Sequence, residues 1–477
     1  MTKFTYYSQP VEELEMYQRL IQYWSVMFDP QFKAKPIDHM NFDADIFPPA
    51  ITLTEIEKVI KFEPGYASPD GFVELSPLIK NLELVRLNRA RPLRRALNQK
   101  MINSAGCGAA HGCTNVMSGL LNSIPKLPKK IFPRQHNQPE VILTLPNYTV
   151  YLAQISNMNG LVSPRFVRGR RENGFLPVYD QIKMAISPRT VAVVITYPNN
   201  PAQSTYDGRL ANELKKIVEL CQRQGIFLIV DNIYQDELYP QSRKHTEIFS
   251  LTDKLDYIIK VFGPSKDTTF FSGYRCGYWI GDPRIQNTYQ YYVSSAENTL
   301  STVSMIMFAW DMLFRAKRYS GRKKLTLGDV KLLDTGLFGW GRKFDAHRVY
   351  QSVSRLKLYE KYNQRVDRAD ALMESTNQRV ADFIHNSKYF SDYVNQKIGN
   401  LFFVKVNPKY FSGDDDDFFH LLLKKGGYGV LPGNVFGLPR EKGNVWFRFT
   451  LIHDSCASII KDLRGIEEFL SKNIGKI

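Results

Sequence analysis

The chain has 477 residues, 43% hydrophobic and 23% charged, the composition of an ordinary globular protein with two or three domains and a sizeable core. No apolar run reaches the ~18 residues needed to cross a bilayer, and the N-terminus carries acids early with no apolar stretch, which argues against a membrane protein and a secretory signal. Much of the excess behind the net charge of +16 falls between Arg315 and Arg348 and is expected to be a solvated basic face; no zinc-finger, RNP or helix-turn-helix pattern supports nucleic acid as a partner.

Taken in order, residues Val11 to Phe28 have helical spacing, with Leu14, Tyr17, Leu20, Ile21, Trp24 and Phe28 near one face, and are expected to form an arm that packs on the body. A turn-rich piece, Tyr66 to Leu75, leads into a helix through Ile79 and Leu82. From about Met101 the chain alternates strand-like and helix-like units, the sign of an α/β domain with a largely parallel sheet. Gly106-Cys107-Gly108-Ala109-Ala110 precedes a helical run through Val116, Leu120 and Leu121, and small residues at such a start let backbone amides approach an anion. Five cysteines, an odd number, fit reduced thiols in a cytoplasmic protein better than disulfides. Cys107, His111 and Cys113 lack zinc-site spacing, so no metal is expected.

Three apolar runs then end in polar residues. Val141 to Leu145 ends at Pro146-Asn147-Tyr148, Val191 to Ile195 ends in a turn containing Asn200 and Pro201, and Ile226 to Val230 runs directly into Asp231-Asn232-Ile233-Tyr234. A helix from about Arg209 to Gln224, closed by Gly225, separates the second from the third. A carboxylate directly after five apolar residues is buried, which is costly unless a cation faces it. A further run, Tyr257 to Phe262, delivers Ser265-Lys266 after Gly263-Pro264, next to Phe270 and Phe271; desolvation there would favour the neutral, nucleophilic amine. Arg275 lies in the following Gly-Tyr-Arg-Cys-Gly turn and offers a cation to an anionic ligand.

In a parallel sheet these ends share one edge, where ligands bind. One ligand would use them all. Its ring stacks on Tyr148, Asp231 holds its ring nitrogen positive, Asn200 and Tyr234 meet its phenolic oxygen, its aldehyde meets Lys266, and its phosphate meets the small-residue helix start and Arg275. That ligand is pyridoxal 5′-phosphate.

The ordered motifs resemble those of the class I/II aminotransferases, a family of fold-type-I enzymes, from about Asp43 to the C-terminus. They comprise Tyr66, Gly71, Glu74 and Leu75; Gly108-Ala109-Ala110; Pro146-Asn147-Tyr148; Asn199-Asn200-Pro201; Asp231 with Tyr234; Ser265-Lys266; and Gly273 to Gly277. Leu401-Phe402-Phe403, the loop Val430 to Gly437, and Arg448 in NVWFRFTL complete them. The resemblance implies an α/β fold: a large domain with a mostly parallel central sheet flanked by helices, and a smaller α+β domain from the two chain ends. The expected division is an N-terminal arm with part of the small domain over 1–84, a large cofactor-binding domain over 85–315, a basic insertion over 316–347, and a linking helix with the C-terminal small domain over 348–477.

The same resemblance implies roles. Lys266 would join the cofactor aldehyde and then carry the α-proton, Asp231 would pair with the pyridine nitrogen, and Asn200 and Tyr234 would hold the phenolic oxygen. Tyr148 would stack on the ring, while Gly108, Ala109, Ala110, Ser265 and Arg275 would bind the phosphate. Arg448, with Asn200 beside it, would bind the substrate carboxylate. Tyr66 would reach the phosphate of a second subunit, which implies a homodimer. The implied activity is transfer of an amino group between an L-amino acid and a 2-oxo acid; lyase, decarboxylase or oxidative chemistry on the same cofactor is the alternative, and a non-catalytic binding protein a remoter one. Four departures stand out: Gly263 replaces a serine that would add a phosphate hydroxyl, the step from Lys266 to Arg275 is one residue long, the substrate lid is not evident in Asp43 to Ala50, and the basic insertion would cover the site, extend a dimer contact or form a surface loop. From about Tyr350 one long helix is expected, and the acidic run Asp414 to Asp417, which lacks calcium-loop spacing, is expected to be a solvated loop.

Overall fold

The computed structural model describes residues 10–38, 43–60, 75–134, 137–158, 160–237, 245–267, 269, 271–296, 301–334, 344–394 and 399–472. Tyr66, Gly71, Glu74 and Phe270 therefore lie outside the described residues, as does part of the basic insertion.

The apolar runs form a seven-stranded sheet: β1 (Gly106–Ala110), β2 (Glu140–Leu145), β3 (Ser163–Arg168), β4 (Thr190–Thr196), β5 (Phe227–Asp231), β6 (Ile258–Phe262) and β7 (Gly277–Gly281), in the spatial order β1-β7-β6-β5-β4-β2-β3. β7 runs antiparallel to both its neighbours and the other adjacent pairs are parallel. Every residue of β2, β4, β5 and β6 is buried, as strands covered on both faces require. The parallel register sets Thr196 beside Asp231 and Asp231 beside Val261, so the strand ends that carry the polar residues share one edge.

A second, four-stranded antiparallel sheet is built from β8 (Phe390–Val394), β9 (Leu401–Val406), β10 (Leu431–Pro432) and β11 (Trp446–Thr450), with its own apolar core that also takes in Ile37 and Phe47 from the front of the chain. Lys35 and Pro36 pair in parallel with Tyr428 and Gly429 as a separate two-stranded sheet, and the Thr450 amide of β11 donates to the Ile37 carbonyl (3.1 Å), tying the early segment to this half of the molecule.

The helices that matter to the site are α1 (Pro10–Met27), α2 (Ser76–Ala90), α3 (Cys113–Ser123), α4 (Val150–Ser156), α5 (Gly208–Gln224), α6 (Thr302–Tyr319), α7 (Leu358–Asn386) and α8 (Cys456–Lys472). α5 ends where Gly225 adopts φ 62° and its amide returns to Cys221, a left-handed cap that glycine takes without strain. No described helix is long and apolar enough to cross a membrane.

Three expectations are corrected. The helix expected from Tyr350 is two: a short one over Ala346–Arg355 stops, Lys357 turns left-handed at φ 52°, and α7 starts at Leu358. Lys317 and Arg318, counted with the basic face, belong to the last turn of α6 and are paired, Lys317 with Asp329 and Arg318 with Asp367 and Asp370. The acidic run is a helix start: Asp414 caps the amides of Asp416 (3.0 Å) and Asp417 (3.1 Å), and Asp415 is buried, accepting from the amides of Asn434 and Trp446. Spare acceptors opposite unpaired helix amides, together with the dipole, explain the clustering.

Candidate active site

The shared strand edge opens into a cavity of about 330 Å³. Tyr148 comes from the turn after β2, Asn200 from the turn after β4, Asp231 ends β5, and Tyr234 follows it; all four line the cavity. Ser265, Lys266 and Arg275 reach it from the segment between β6 and β7, and Arg448 from β11 of the smaller sheet. Residues separated by 300 positions thus face one space because the smaller sheet docks over the strand ends of the larger one.

Asp231 is buried, and burial lifts its carboxyl to about 6. Three donors oppose that shift: the Tyr151 hydroxyl on α4, the Ile233 amide (3.1 Å) and the Thr196 hydroxyl (3.4 Å). All three are neutral dipoles, and none supplies the cation that a buried carboxylate calls for. Tyr148 packs at right angles to Tyr151, ring centroids 5.9 Å apart, and lines the cavity.

The anion end differs from expectation. Gly108, Ala109 and Ala110 are strand residues, paired with Trp279, Tyr278 and Gly277 of β7, and they do not line the cavity. A run of small residues predicts a helix start, but here it serves close approach: a Cβ on Gly108 would meet the Trp279 and Tyr289 rings at 2.7 Å. The helix that faces the cavity is α3, whose first residues Cys113 and Thr114 line it. Gly112 precedes them at φ 84°, with the Arg275 guanidinium 3.1 Å from where its Cβ would stand. Amides at a helix start, a guanidinium and the nearby Ser265 make a cradle for a phosphate.

Cys113 is the residue that sequence reasoning passed over. Its sulfur lies 2.8 Å from the position a Cβ would take on Gly263, so the room a serine there would need is filled by a thiol from α3. Burial and then the charge of Asp231 push that thiol well above its usual range, which keeps it protonated.

At the opposite end Arg448 is buried and makes one hydrogen bond from each of its three nitrogens. Its Nε and Nη2 donate to Asp38 at 2.8 and 2.7 Å, and Nη1 donates to Asn200 Oδ1 at 2.8 Å. Asp38 was another omission. Its position two residues after the Lys35-Pro36 pairing with Tyr428-Gly429 brings it here, and no local pattern signals that. α1, expected to be an arm, also reaches the site: Trp24 and Phe28 line the cavity while the helix rests on α4 and on the turn Gly433–Phe436.

Below the cavity lies a buried set of charges. Lys260, hidden within the apolar run of β6, donates to Glu83 (2.7 Å) and Glu247 (2.8 Å). Arg315 of α6 meets Asp236 and Asp267, both at 2.7 Å, and Asp311 at 2.9 Å. Asp236 also pairs with Arg86. Asp267 directly follows Lys266, and Asp236 follows Tyr234, so one guanidinium is tied to both functional loops.

The residues present fit the expected cofactor on two observations: among the described residues the partners of buried Asp231 are neutral donors, which a protonated pyridine would complement, and Gly112 keeps the helix start open beside Arg275, where an anion would sit.

Residues 132–305 match the model of the family described as aminotransferase class I and II. An aspartate aminotransferase of Geobacillus stearothermophilus is 33% identical over 142 residues, 30% of this chain and 35% of that protein. The sequence match therefore spans about a third of the relative's length. Among solved structures, an aspartate aminotransferase variant of Thermus thermophilus superposes with a TM-score of 0.66 at 15% identity, over 98% of this chain and all of that one. A tyrosine aminotransferase of Leishmania infantum gives a TM-score of 0.66 at 15% identity, over 94% of this chain and 97% of that one. At these identities the superpositions establish the fold, that of fold-type-I aminotransferases.

Proposed function

We propose, from the match of residues 132–305 to the class I and II aminotransferase model, that this chain is a pyridoxal 5′-phosphate-dependent aminotransferase, moving an amino group between an L-amino acid and a 2-oxo acid. A single observation carries the reading: a lysine amine, a cation-seeking buried aspartate, an anion cradle and a held arginine face one cavity of about 330 Å³. When bound, the cofactor supplies a carbonyl for the amino group and a positively charged ring that takes up electrons from the substrate's α-carbon.

The chain's residues divide the work. Lys266 holds the cofactor, then takes a proton from the substrate's α-carbon and returns one on the cofactor side. Asp231 keeps the ring nitrogen protonated. That task suits an acid whose remaining partners only orient it. Asn200, with Oδ1 occupied by Arg448, has its amide nitrogen left to donate to the phenolic oxygen, and Tyr234 donates from the other side. Ser265, Arg275 and the amides of Cys113 and Thr114 bind the phosphate, and Tyr148 covers the ring. With Asp38 on its Nε edge, Arg448 has its end-on N–H pair for the substrate carboxylate. A homodimer in the cytoplasm is part of the same reading, consistent with cysteines that are all free thiols among the described residues.

The test is direct. Purified protein with cofactor, an L-amino acid and a 2-oxo acid should yield the exchanged pair, and Lys266→Ala should not. Release of carbon dioxide or ammonia without exchange, across a panel of amino acids, would replace this reading with decarboxylase or lyase chemistry.

A further inference from the structure

The half of the cavity that remains once the cofactor's contacts are assigned has a composition of its own. Arg275 lies against Gly112 at the start of α3, and Lys266 is the reacting amine. That leaves Arg448, which already carries the buried carboxylate of Asp38 on two of its nitrogens. The pair is neutral before substrate arrives. One substrate carboxylate can still dock on the free end of the guanidinium, but no further cation exists among the described residues that line the cavity. Among the described residues of one chain, a second carboxylate beside Asp38 meets no neutralising cation, and taking it out of water is costly.

The wall facing this space is apolar. Trp24, in the last turn of α1, and Phe28, the residue just past its end, whose amide donates to the Trp24 carbonyl at 3.1 Å, line it. α1 is held against the body by packing on α4 and on the turn Gly433–Phe436, and by the Tyr23 hydroxyl donating to Asp416. Trp24 is half-buried and Phe28 half-exposed at the mouth. Flat, rigid side chains bind another ring with little loss of freedom, and hydrophobic selection of this kind is worth roughly 10- to 200-fold.

We propose that the amino acids this chain accepts have a large apolar side chain, aromatic above all, received by Trp24 and Phe28, and that acidic amino acids are disfavoured because their second carboxylate meets Asp38 and no second cation among the described residues of the chain. This rests on the aminotransferase reading above and departs from what the name of the Geobacillus relative would suggest for it.

Two unreactive carboxylates test it by calorimetry on the cofactor-loaded protein. 3-Phenylpropionate should bind at least ~10-fold more tightly than succinate, and Trp24→Ala should remove most of that ratio by weakening the aromatic ligand alone. Trp24→Arg should reverse the ratio. Should Trp24 variants fail to fold, Phe28→Ala at the exposed mouth gives the same comparison with a smaller loss. The reacting counterpart is spectral conversion of the cofactor by L-phenylalanine against L-aspartate, expected to favour phenylalanine by a similar factor. Tighter succinate binding, or a ratio that Trp24 and Phe28 variants leave unmoved, overturns the proposal. No conversion with any amino acid overturns the aminotransferase reading instead, while the binding ratio still decides the side-chain preference.

Discussion

Asp231, the last residue of β5, and Asp236, five residues on, are both buried, and their surroundings are opposite. Burial lifts Asp231 to about 6 and only hydrogen-bond donors pull it back. Burial acts on Asp236 too, but Arg86 and then Arg315 outweigh it and hold the carboxyl well below its ordinary range. The difference separates two uses of a buried acid. Asp236 is satisfied within the fold and fastens a loop, whereas Asp231 is left short of a positive charge that only a ligand can bring.

The comparison can be broken at its functional end first. Replacing Lys266 with alanine should lower turnover by roughly 10⁴-fold with little change in unfolding, since the amine serves chemistry; amino-group exchange assays and denaturant melts on the same samples decide this. On the structural side, Asp236→Asn removes the carboxylate that Arg86 and Arg315 share, leaving Glu83 to the one and Asp267 and Asp311 to the other, and should cost about 3 kcal/mol, read as a lower urea midpoint of the cofactor-free protein.

Asp231→Asn sharpens the contrast through pH. The folded carboxyl near 6 lies above the unfolded value of about 3.9, so the native state binds the proton more tightly. Its contribution is therefore present below pH ~4 and lost as pH rises to about 6, a change of about 3 kcal/mol. Between those pH values the cofactor-free wild type should lose stability relative to Asp231→Asn, a difference that cancels the similar slopes of Asp311 and Asp415, which burial also raises. A flat difference would mean that a cation already faces Asp231. Adding cofactor should remove the wild-type loss, and the asparagine variant should show slow exchange by roughly 10²- to 10⁴-fold.

The smallest effect concerns the thiol in the cradle. Gly263→Ser would bring a side chain within 2.8 Å of the Cys113 sulfur and 2.6 Å of the Cys276 carbonyl oxygen, and should cost roughly 1–3 kcal/mol. Adding Cys113→Ala should restore part of it, as differential scanning calorimetry of both variants would show.

Much of this was visible in the chain itself. Fully buried strands read as unbroken apolar runs, and a polar residue where each run stops is conspicuous; Tyr148, Asn200, Asp231 and Lys266 stand out for that reason. Lys260 did not, because one lysine in a hydrophobic strand carries no sign of the glutamates waiting from α2 and from Glu247. The anion cradle was misplaced by a few residues because small side chains serve both tight strand packing, as at Gly108, and a turn with positive φ, as at Gly112; composition is the same and only the backbone distinguishes them. Asp38 and Trp24 depend on how the front of the chain wraps over the finished sheet, which no local spacing encodes.

Arg315 ties the stretch after Tyr234 to the stretch after Lys266 through a single side chain. The separation between amine and ring acid is thereby fixed by the scaffold and does not have to be recovered at each turnover. The first helix, by contrast, touches the cavity from outside that clasp. Attempts to retune which molecules enter should find freedom there, while alterations around α6 should change how fast everything reacts and spare what is chosen.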